Sequence, residues 1–274
     1  MQAVILAAGI GKRLKEHTRE KTKCMVNVGG QTIIERGLRI LDIEGLSRII
    51  VVTGYKSEGL MAHVDSLGLS TPVVYVHNSE YENTSNLYSL SLAEEYLKED
   101  DTLVIESDIV YERAVVERML DSDEECLTFV SKPKPWMDGS IVTLDKDGYI
   151  NDFIGADNFA FQNMDSYYKT VSMYKLSKEY LNKVYLPLLV AYVKAWGNKT
   201  HYESALKVVA FKEQRVLKAL VLENEKWYEI NDIQDIDIAE SIFAEGDEKL
   251  TRYMKRNIMP LYSVRRTDHQ YSII

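Results

Sequence analysis

Cysteine is nearly missing. Cys24 and Cys126 are the only two in 274 residues, and neither stands at a metal-ligand spacing. That excludes a disulfide-stapled scaffold and a cysteine zinc site, and it makes a reducing cytoplasm the expected location. The five histidines form no His-Glu-x-x-His pattern and no Gly-x-Ser-x-Gly elbow occurs, so a zinc hydrolase and a serine esterase lose their sequence support. Positive charge is in deficit: 33 Lys and Arg against 42 Asp and Glu give a formal net charge of -9. A nucleic-acid partner is not expected, because phosphate backbones demand clustered cations. No apolar run reaches the length of about 18 residues that spans a bilayer, and no leader precedes the first strand-like run, so a soluble protein without a membrane partner is expected. Internal repeats and low-complexity linkers are lacking too. What remains is an enzyme-sized globular chain whose 46% hydrophobic residues suffice for a real core.

Apolar patterning alternates between strand and helix periods. Strand-like runs at Gln2 to Ala7, Arg48 to Thr53, Thr71 to Val76 and Thr102 to Ile105 are separated by helical patterns at Thr32 to Leu41, Ser57 to Leu67 and Asn86 to Leu97. The first half thus reads as βαβαβαβ, which predicts a Rossmann-like, mostly parallel mixed sheet with helices on both faces. In the second half, strands are expected at Cys126 to Ser131, Ser140 to Leu144, Thr170 to Tyr174 and Trp227 to Ile230, and a hairpin at Asp145 to Gly148. Helices are expected at Ser177 to Trp196, Tyr202 to Phe211 and Ile233 to Phe243. In open α/β sheets ligands bind outside the carboxyl ends of the strands. Gly9, Tyr55, the Asn78 to Asn86 loop and Asp108 all fall at that edge.

The first strand breaks into Gly9-Ile10-Gly11-Lys12-Arg13-Leu14, where two glycines bring bare N–H groups against a phosphate and two cations follow. It is not a P-loop, since Lys12 is followed by Arg13 and no Gly stands five residues before Gly11. It is not a dinucleotide fingerprint either, since Leu14 stands where the third Gly is required. The string Leu6-Ala7-Ala8-Gly9-x-Gly11-x-Arg13-Leu14, with Lys23 downstream, resembles the signature of nucleotidyltransferases that join an NTP to a phosphorylated small molecule and release pyrophosphate. The resemblance spans Gln2 to Phe243 and implies the nucleotide-diphospho-sugar transferase type of sheet. It also implies that Leu6, Ala7, Ala8, Gly9, Gly11 and Lys12 cradle the nucleotide, with Tyr55, Asn78, Thr84, Asn86 and Ser89 around it. Arg13 is expected on the β- and γ-phosphates and Lys23 on the α-phosphate and the acceptor, these two being the catalytic pair. The family's usual Pro before this Lys is Thr22 here, which removes a rigid turn.

Phosphoryl-type transfer calls for a hard divalent cation held by one or two oxygen ligands and the substrate phosphates. Asp108, directly after the Thr102 to Ile105 strand, is either such a ligand or the N-cap of a helix beginning near Tyr111. In the resembling family an acid at this strand end holds Mg²⁺, and a second ligand comes from an aromatic-x-Glu-Ile-Asp/Asn segment. Here that segment is Trp227-Tyr228-Glu229-Ile230-Asn231-Asp232, which puts Asn231 second, with Glu229 or Asp232 helping directly or through water.

For the acceptor, Asn78-x-x-Tyr81 followed by Asn86-Leu87-Tyr88-Ser89-Leu90 is similar to the phosphocholine cytidylyltransferase branch and to relatives that cytidylylate aminoethylphosphonate. That implies CTP and a small phosphorylated or phosphonylated amine as substrates. A cationic amine wants an aromatic face and a carboxylate; Trp136 with Asp138, Tyr167 and Tyr168, and His201-Tyr202-Glu203 are candidates, and Lys169 is a candidate for the acceptor's phosphate or phosphonate. A sugar-1-phosphate nucleotidyltransferase is the alternative. A metal-dependent glycosyltransferase, suggested by Glu106-Ser107-Asp108, and an inactive nucleotide-binding regulator are alternatives of other classes. Residues 1–245 are expected to form the transferase domain, with a nucleotide-binding half at 1–125 and an acceptor-binding half at 126–245. The basic stretch 246–274 is a C-terminal tail, a linker to a further catalytic domain, or a homodimer arm.

Overall fold

The structure, a computed structural model, describes residues 1–134, 137, 139–155, 158–213 and 215–243. β1 (Gln2–Ala7) is buried on both faces, which is why it reads as an unbroken apolar run. Two 3₁₀ turns follow, then the small hairpin of β2 (Asn27–Val28) and β3 (Gln31–Thr32). α1 (Ile33–Ile43) starts where Thr32 Oγ1 accepts the Glu35 N–H at 3.1 Å. Strand and helix then alternate through β4 (Ile49–Thr53), α2 (Ser57–Ser66), β5 (Val73–His77), α3 (Asn86–Leu92), α4 (Glu94–Leu97) and β6 (Thr102–Glu106). The βαβαβαβ expectation is observed, with the helix expected over 86–97 divided at Ala93.

After β6 come β7 (Ile109–Tyr111), α5 (Arg113–Leu120), β8 (Cys126–Ser131), and β9 (Ile141–Leu144) with β10 (Ile150–Ile154), the last two joined by the expected hairpin. β7 overturns the idea that Asp108 caps a helix near Tyr111: the chain there is extended, and α5 begins later, with Glu112 at its N-cap. β11 (Tyr167–Leu176), α6 (Lys178–Tyr180), α7 (Leu186–Trp196), α8 (Tyr202–Lys212), β12 (Lys218–Val221), β13 (Trp227–Glu229) and α9 (Ile233–Phe243) complete the described chain. The single helix expected over 177–196 is α6 and α7 joined by a π-turn at Leu181–Tyr185, just before a proline in the first turn of α7 that lacks an N–H for the regular ladder. The tail 246–274 lies outside the described residues.

The nine-stranded main sheet runs β10-β9-β11-β6-β1-β4-β5, with β8 against β11 and β12 against β8. β6, β1, β4 and β5 are parallel, and β11 is antiparallel to β6, so the sheet is mixed as expected. Ala3, Ile5 and Ala7 face Leu38 of α1, Leu60 of α2 and Val116 of α5, whereas Val4 and Leu6 face Leu90 of α3, Leu189 of α7 and Leu206 of α8. Both faces are therefore helix-covered. A third cluster, of Leu14, Val26, Val28, Val110, Tyr228, Ile230 and Ile236, ties the post-β1 loop to β7, β13 and α9. Through it, parts of the chain far apart in sequence meet at one corner of the sheet.

Both cysteines lie in the core, and burial pushes the Cys24 thiol up to about 12 and the Cys126 thiol up to about 11. Since the thiolate is the reactive form, both should resist iodoacetamide at pH 8 in the native protein and react on the order of 100-fold faster in guanidinium, read by intact-mass spectrometry.

Candidate active site

β1 turns toward β4 while β6 lies on its other edge, so the parallel strands part at the carboxyl ends of β1 and β6. This is the switch point at which open α/β sheets bind ligands. Two cavities meet there. One, of about 350 Å³, is lined by Leu6, Ala7, Ala8, Gly9, Gly11, Lys12, Asn78, Thr84 and Ser89. The other, of about 540 Å³, is lined by Ser140, Phe153, Ser172, His201, Glu203, Lys207 and Glu229. Arg13, Lys23, Asn86, Glu106, Asp108 and Asn231 belong to both. The residues expected to carry catalysis are the shared wall.

The two loop glycines act differently. Gly11 has φ +69°, and a Cβ on it would stand 2.9 Å from Lys23 Cβ, so glycine alone lets the loop turn left-handed beneath the lysine stem. A Cβ on Gly9 would meet nothing within 4 Å, so its bare backbone opens onto the cavity. Thr18 Oγ1 donates to the Gly11 carbonyl at 3.0 Å, and the Tyr55 N–H donates to the Ala8 carbonyl at 3.1 Å, fixing both sides of the turn.

Lys23 donates from Nζ to Asp108 Oδ2 at 2.5 Å and to Asn231 Oδ1 at 3.2 Å. Arg13 Nη2 reaches the same amide oxygen at 2.9 Å. The pairing of β13 with β7 makes this possible: Glu229 stands opposite Ile109, and the Ile230 N–H bonds the Asp108 carbonyl at 2.9 Å, so Asn231 arrives beside Asp108. Burial alone lowers the Lys23 pKa, but Asp108, and then Glu229 and Glu106, outweigh it and hold the ammonium above the ordinary lysine value. Lys23 is thus a fixed cation at neutral pH.

Asp108 Oδ1 is buried and has no hydrogen-bond partner among the described residues. This orphaned carboxylate oxygen and the Asn231 amide oxygen, on two side chains that both meet Lys23, form a hard-oxygen pair that fits a small divalent ion completing its shell from phosphate and water. Asp232 takes another part: its Oδ1 accepts the Asp235 N–H at 3.1 Å, while Asp235 Oδ2 accepts the Asp232 N–H at 2.9 Å and the Asn231 N–H at 2.7 Å. That reciprocal capping box starts α9 and holds the Asn231 backbone. Glu229 faces the second cavity but is bonded to Lys169 at 2.6 Å and to Asn231 Nδ2 at 2.7 Å.

Around the first cavity, Asn78 Nδ2 donates to Thr84 Oγ1 at 2.9 Å and to Ser89 Oγ at 3.0 Å, and its Oδ1 accepts the Glu80 N–H at 2.9 Å. A wholly buried amide thus shapes the loop. Tyr55 does not line the cavity: its hydroxyl donates to the Arg19 carbonyl at 2.9 Å, and Tyr81 supplies the aromatic wall instead. Asn86 is spent within the protein, with Nδ2 on Glu106 Oε1 at 2.8 Å and Oδ1 accepting the Tyr202 N–H at 3.0 Å.

In the second cavity Glu203 is held by the hydroxyls of Tyr174, Ser140 and Thr170. Tyr202 is buried against the Tyr174 ring and Lys169 is sealed in an ion pair, so neither expected acceptor contact reaches the wall. Trp136 and Asp138 lie outside the described residues. His201, expected beside Tyr202 and Glu203, does line the wall, whereas sequence reasoning missed Glu106, Ser172 and Lys207 as wall residues. Ser172 has φ +55° at a bulge between Thr170 and Tyr174 where β11 pairs with β8. Glu106 was legible only as the first letter of an acidic pair; burial, then Asp108, Glu203 and Glu229, pushes its carboxyl well above the usual range.

Asn86→Ala removes a donor to half-buried Glu106 and an acceptor for the Tyr202 N–H. Urea denaturation should show a loss of about 1–3 kcal/mol, the range for a buried polar group left unpaired.

Residues 3–149 match the MobA-like NTP transferase domain family. Among curated proteins, the chain is 28% identical over 251 residues to CMP-5'-(3-aminopropyl)phosphonate synthase of Streptomyces rubellomurinus, covering 91% of this chain and 40% of that protein. It is 32% identical over 115 residues to the choline-phosphate cytidylyltransferase of Haemophilus influenzae, covering 42% of this chain and 47% of that one. The chain thus spans less than half the length of either relative. Among solved structures, CTP:phosphocholine cytidylyltransferase from Streptococcus pneumoniae superposes with a TM-score of 0.71 over 88% of this chain and 98% of that one at 21% identity, which shows a shared fold. With the matched domain covering more than half of its residues, this chain belongs to the MobA-like NTP transferase family.

Proposed function

We propose that this chain transfers CMP from CTP to a small phosphonylated or phosphorylated amine, of the aminoethylphosphonate or phosphocholine kind, and releases pyrophosphate. The observation that carries the reading is that Lys23, Arg13, Asp108 and Asn231 stand where the two cavities meet. The nucleotide occupies the first cavity, the acceptor the second, and their reacting ends come together at Lys23. Relatives named for a phosphonate and for choline phosphate support that choice of acceptor.

An anionic oxygen of the acceptor attacks the α-phosphorus in line, forming a P–O bond while the bond to the bridging oxygen of the leaving pyrophosphate breaks. Two anions must approach each other, so the chain's work is positioning and charge neutralisation. The bare N–H groups around Gly9 and the Arg13 guanidinium hold the β- and γ-phosphates. Lys23 bridges the α-phosphate and the incoming oxygen. Asp108 and Asn231 would hold Mg²⁺, which when bound neutralises phosphate charge. The acceptor's ammonium lies toward Glu203 and Glu106. Residues 1–125 then serve the nucleotide and 126–245 the acceptor, in a cytoplasmic enzyme; among the described residues no helix is long and apolar enough to cross a membrane.

A second reading, transfer to a sugar-1-phosphate, is favoured by the hydroxyl-rich wall of Ser140, Ser172 and Ser204. Pyrophosphate release from CTP, UTP, dTTP and ATP against aminoethylphosphonate, phosphocholine and glucose-1-phosphate separates the two. CTP with an amine acceptor is expected to give the highest kcat/KM. Turnover with the sugar phosphate alone would establish the second reading, and release with no pair would leave a nucleotide-binding regulator. Lys23→Ala should lower kcat by about 100- to 1,000-fold, as for loss of one transition-state charge contact, with the circular-dichroism spectrum unchanged; near-normal turnover would remove Lys23 from the mechanism.

A further inference from the structure

We propose that Lys169 and Glu229 form a buried positioning relay that fixes the side-chain amide of Asn231, so that its oxygen, and not its nitrogen, faces Arg13, Lys23 and the metal position. Only the use made of that oxygen rests on the cytidylyltransferase reading.

The relay begins on β11 and ends at the phosphate loop. Lys169, 1% exposed, donates from Nζ to Glu229 Oε2 at 2.6 Å and to the Thr170 carbonyl at 3.1 Å, and lies 5.6 Å from the Trp227 ring centroid. Glu229 turns its other oxygen to Asn231 Nδ2 at 2.7 Å. Asn231 Oδ1 then accepts from Arg13 at 2.9 Å and from Lys23 at 3.2 Å. An amide is ambivalent, donor at one end and acceptor at the other, whereas a carboxylate only accepts and an ammonium only donates. Rotating Asn231 by half a turn would set its NH₂ against two cations and its oxygen against a carboxylate, reversing every contact. Asp235 already holds the Asn231 backbone N–H at 2.7 Å, so the side-chain rotation is what is left to fix. Gly139, at φ +121°, packs its backbone against the pair; a Cβ there would stand 2.5 Å from Lys169 Nζ and 3.5 Å from Glu229 Oε2, so only glycine fits. An Asp at position 231 would present oxygen either way. Asn231 needs an orienting acceptor.

Glu229→Gln tests this at constant size. The Lys169 ammonium claims the Gln oxygen, the Gln NH₂ faces position 231, and Asn231 must turn its own NH₂ into the crevice. In the metal-free protein, ¹⁵N-edited NMR reads the Asn231 NH₂ signals, identified by their loss in Asn231→Asp. They should be protected from solvent exchange in the wild type and lose about tenfold of that protection in Glu229→Gln, exchange being set by the hydrogen bond. Mn²⁺ affinity in the presence of CTP, measured by EPR, should fall about 10- to 100-fold, as for loss of an outer-shell partner, and recover in Glu229→Gln/Asn231→Asp, where a carboxylate meets the Gln NH₂. Lys169→Met/Glu229→Gln leaves no ammonium to claim the Gln oxygen and should return the Asn231 signals to wild-type protection. That pair is also charge-balanced, so it reports on the relay if the single variant does not fold. Unchanged protection in Glu229→Gln, a doubly substituted 229/231 protein that binds Mn²⁺ no better than Glu229→Gln, or lost protection in the 169/229 pair would each overturn the proposal. Wild-type protection without CTP turnover on any amine would instead overturn the functional reading and leave the relay standing.

Discussion

The contact on which the rest of the site depends is the Lys23 ammonium lodged between Asp108 and Asn231. It joins the loop after β1, the end of β6 and the turn after β13, three segments with no sequence proximity. Such a pair is not a source of stability in itself, because taking both charges partly out of water offsets much of their attraction, while removing one partner costs about 3–5 kcal/mol through the charge left behind. Its worth lies in placement. Gly11 is glycine so that the lysine stem can cross it, β7 is extended so that β13 can pair with it, and the cluster of Leu14, Val110, Tyr228 and Ile230 pulls the two ends of the chain together.

That dependence explains what was legible beforehand. Strands buried on both faces give continuous apolar runs, so β1 and β6 are plain from their residues, and a loop that must bare its backbone to phosphate needs Gly9 and Gly11. Arg13 follows that loop and Asp108 follows β6, which puts both at one sheet edge, whereas Lys23 and Asn231 are placed beside them only through the resemblance to the nucleotidyltransferase signature. What escaped were facts about direction. Lys169 is an exposed cation by composition, yet it sits on β11 with its side chain turned toward Glu229 and away from the cavity. Tyr202 is similarly inward, supplying a backbone N–H to Asn86 instead of a ring to the acceptor. The short β7 and β12 leave no periodicity to read, and a bulge such as that at Ser172 interrupts the ladder without a residue pattern that announces it.

The electrostatics of the crevice follow from the same geometry. A chain with net charge -9 has to receive polyanions, and it does so with cations concentrated at the junction of the two cavities. The carboxylates of Glu106, Glu203 and Glu229 stand on the second cavity's side of that junction. A purely anionic acceptor would gain at Lys23 and lose against these acids. A zwitterion with its phosphonate or phosphate toward Lys23 and its ammonium toward Glu203 gains at both ends, and at the few ångströms separating such groups the effect is large in a low-dielectric pocket. Glu106 sharpens this, because burial beside Asp108 and Glu203 disfavours its ionised form; an ammonium brought alongside it reverses that balance. On the proposed function, the acidic crowding that looks unsuited to a nucleotide enzyme is a selectivity element, one that favours acceptors able to neutralise it.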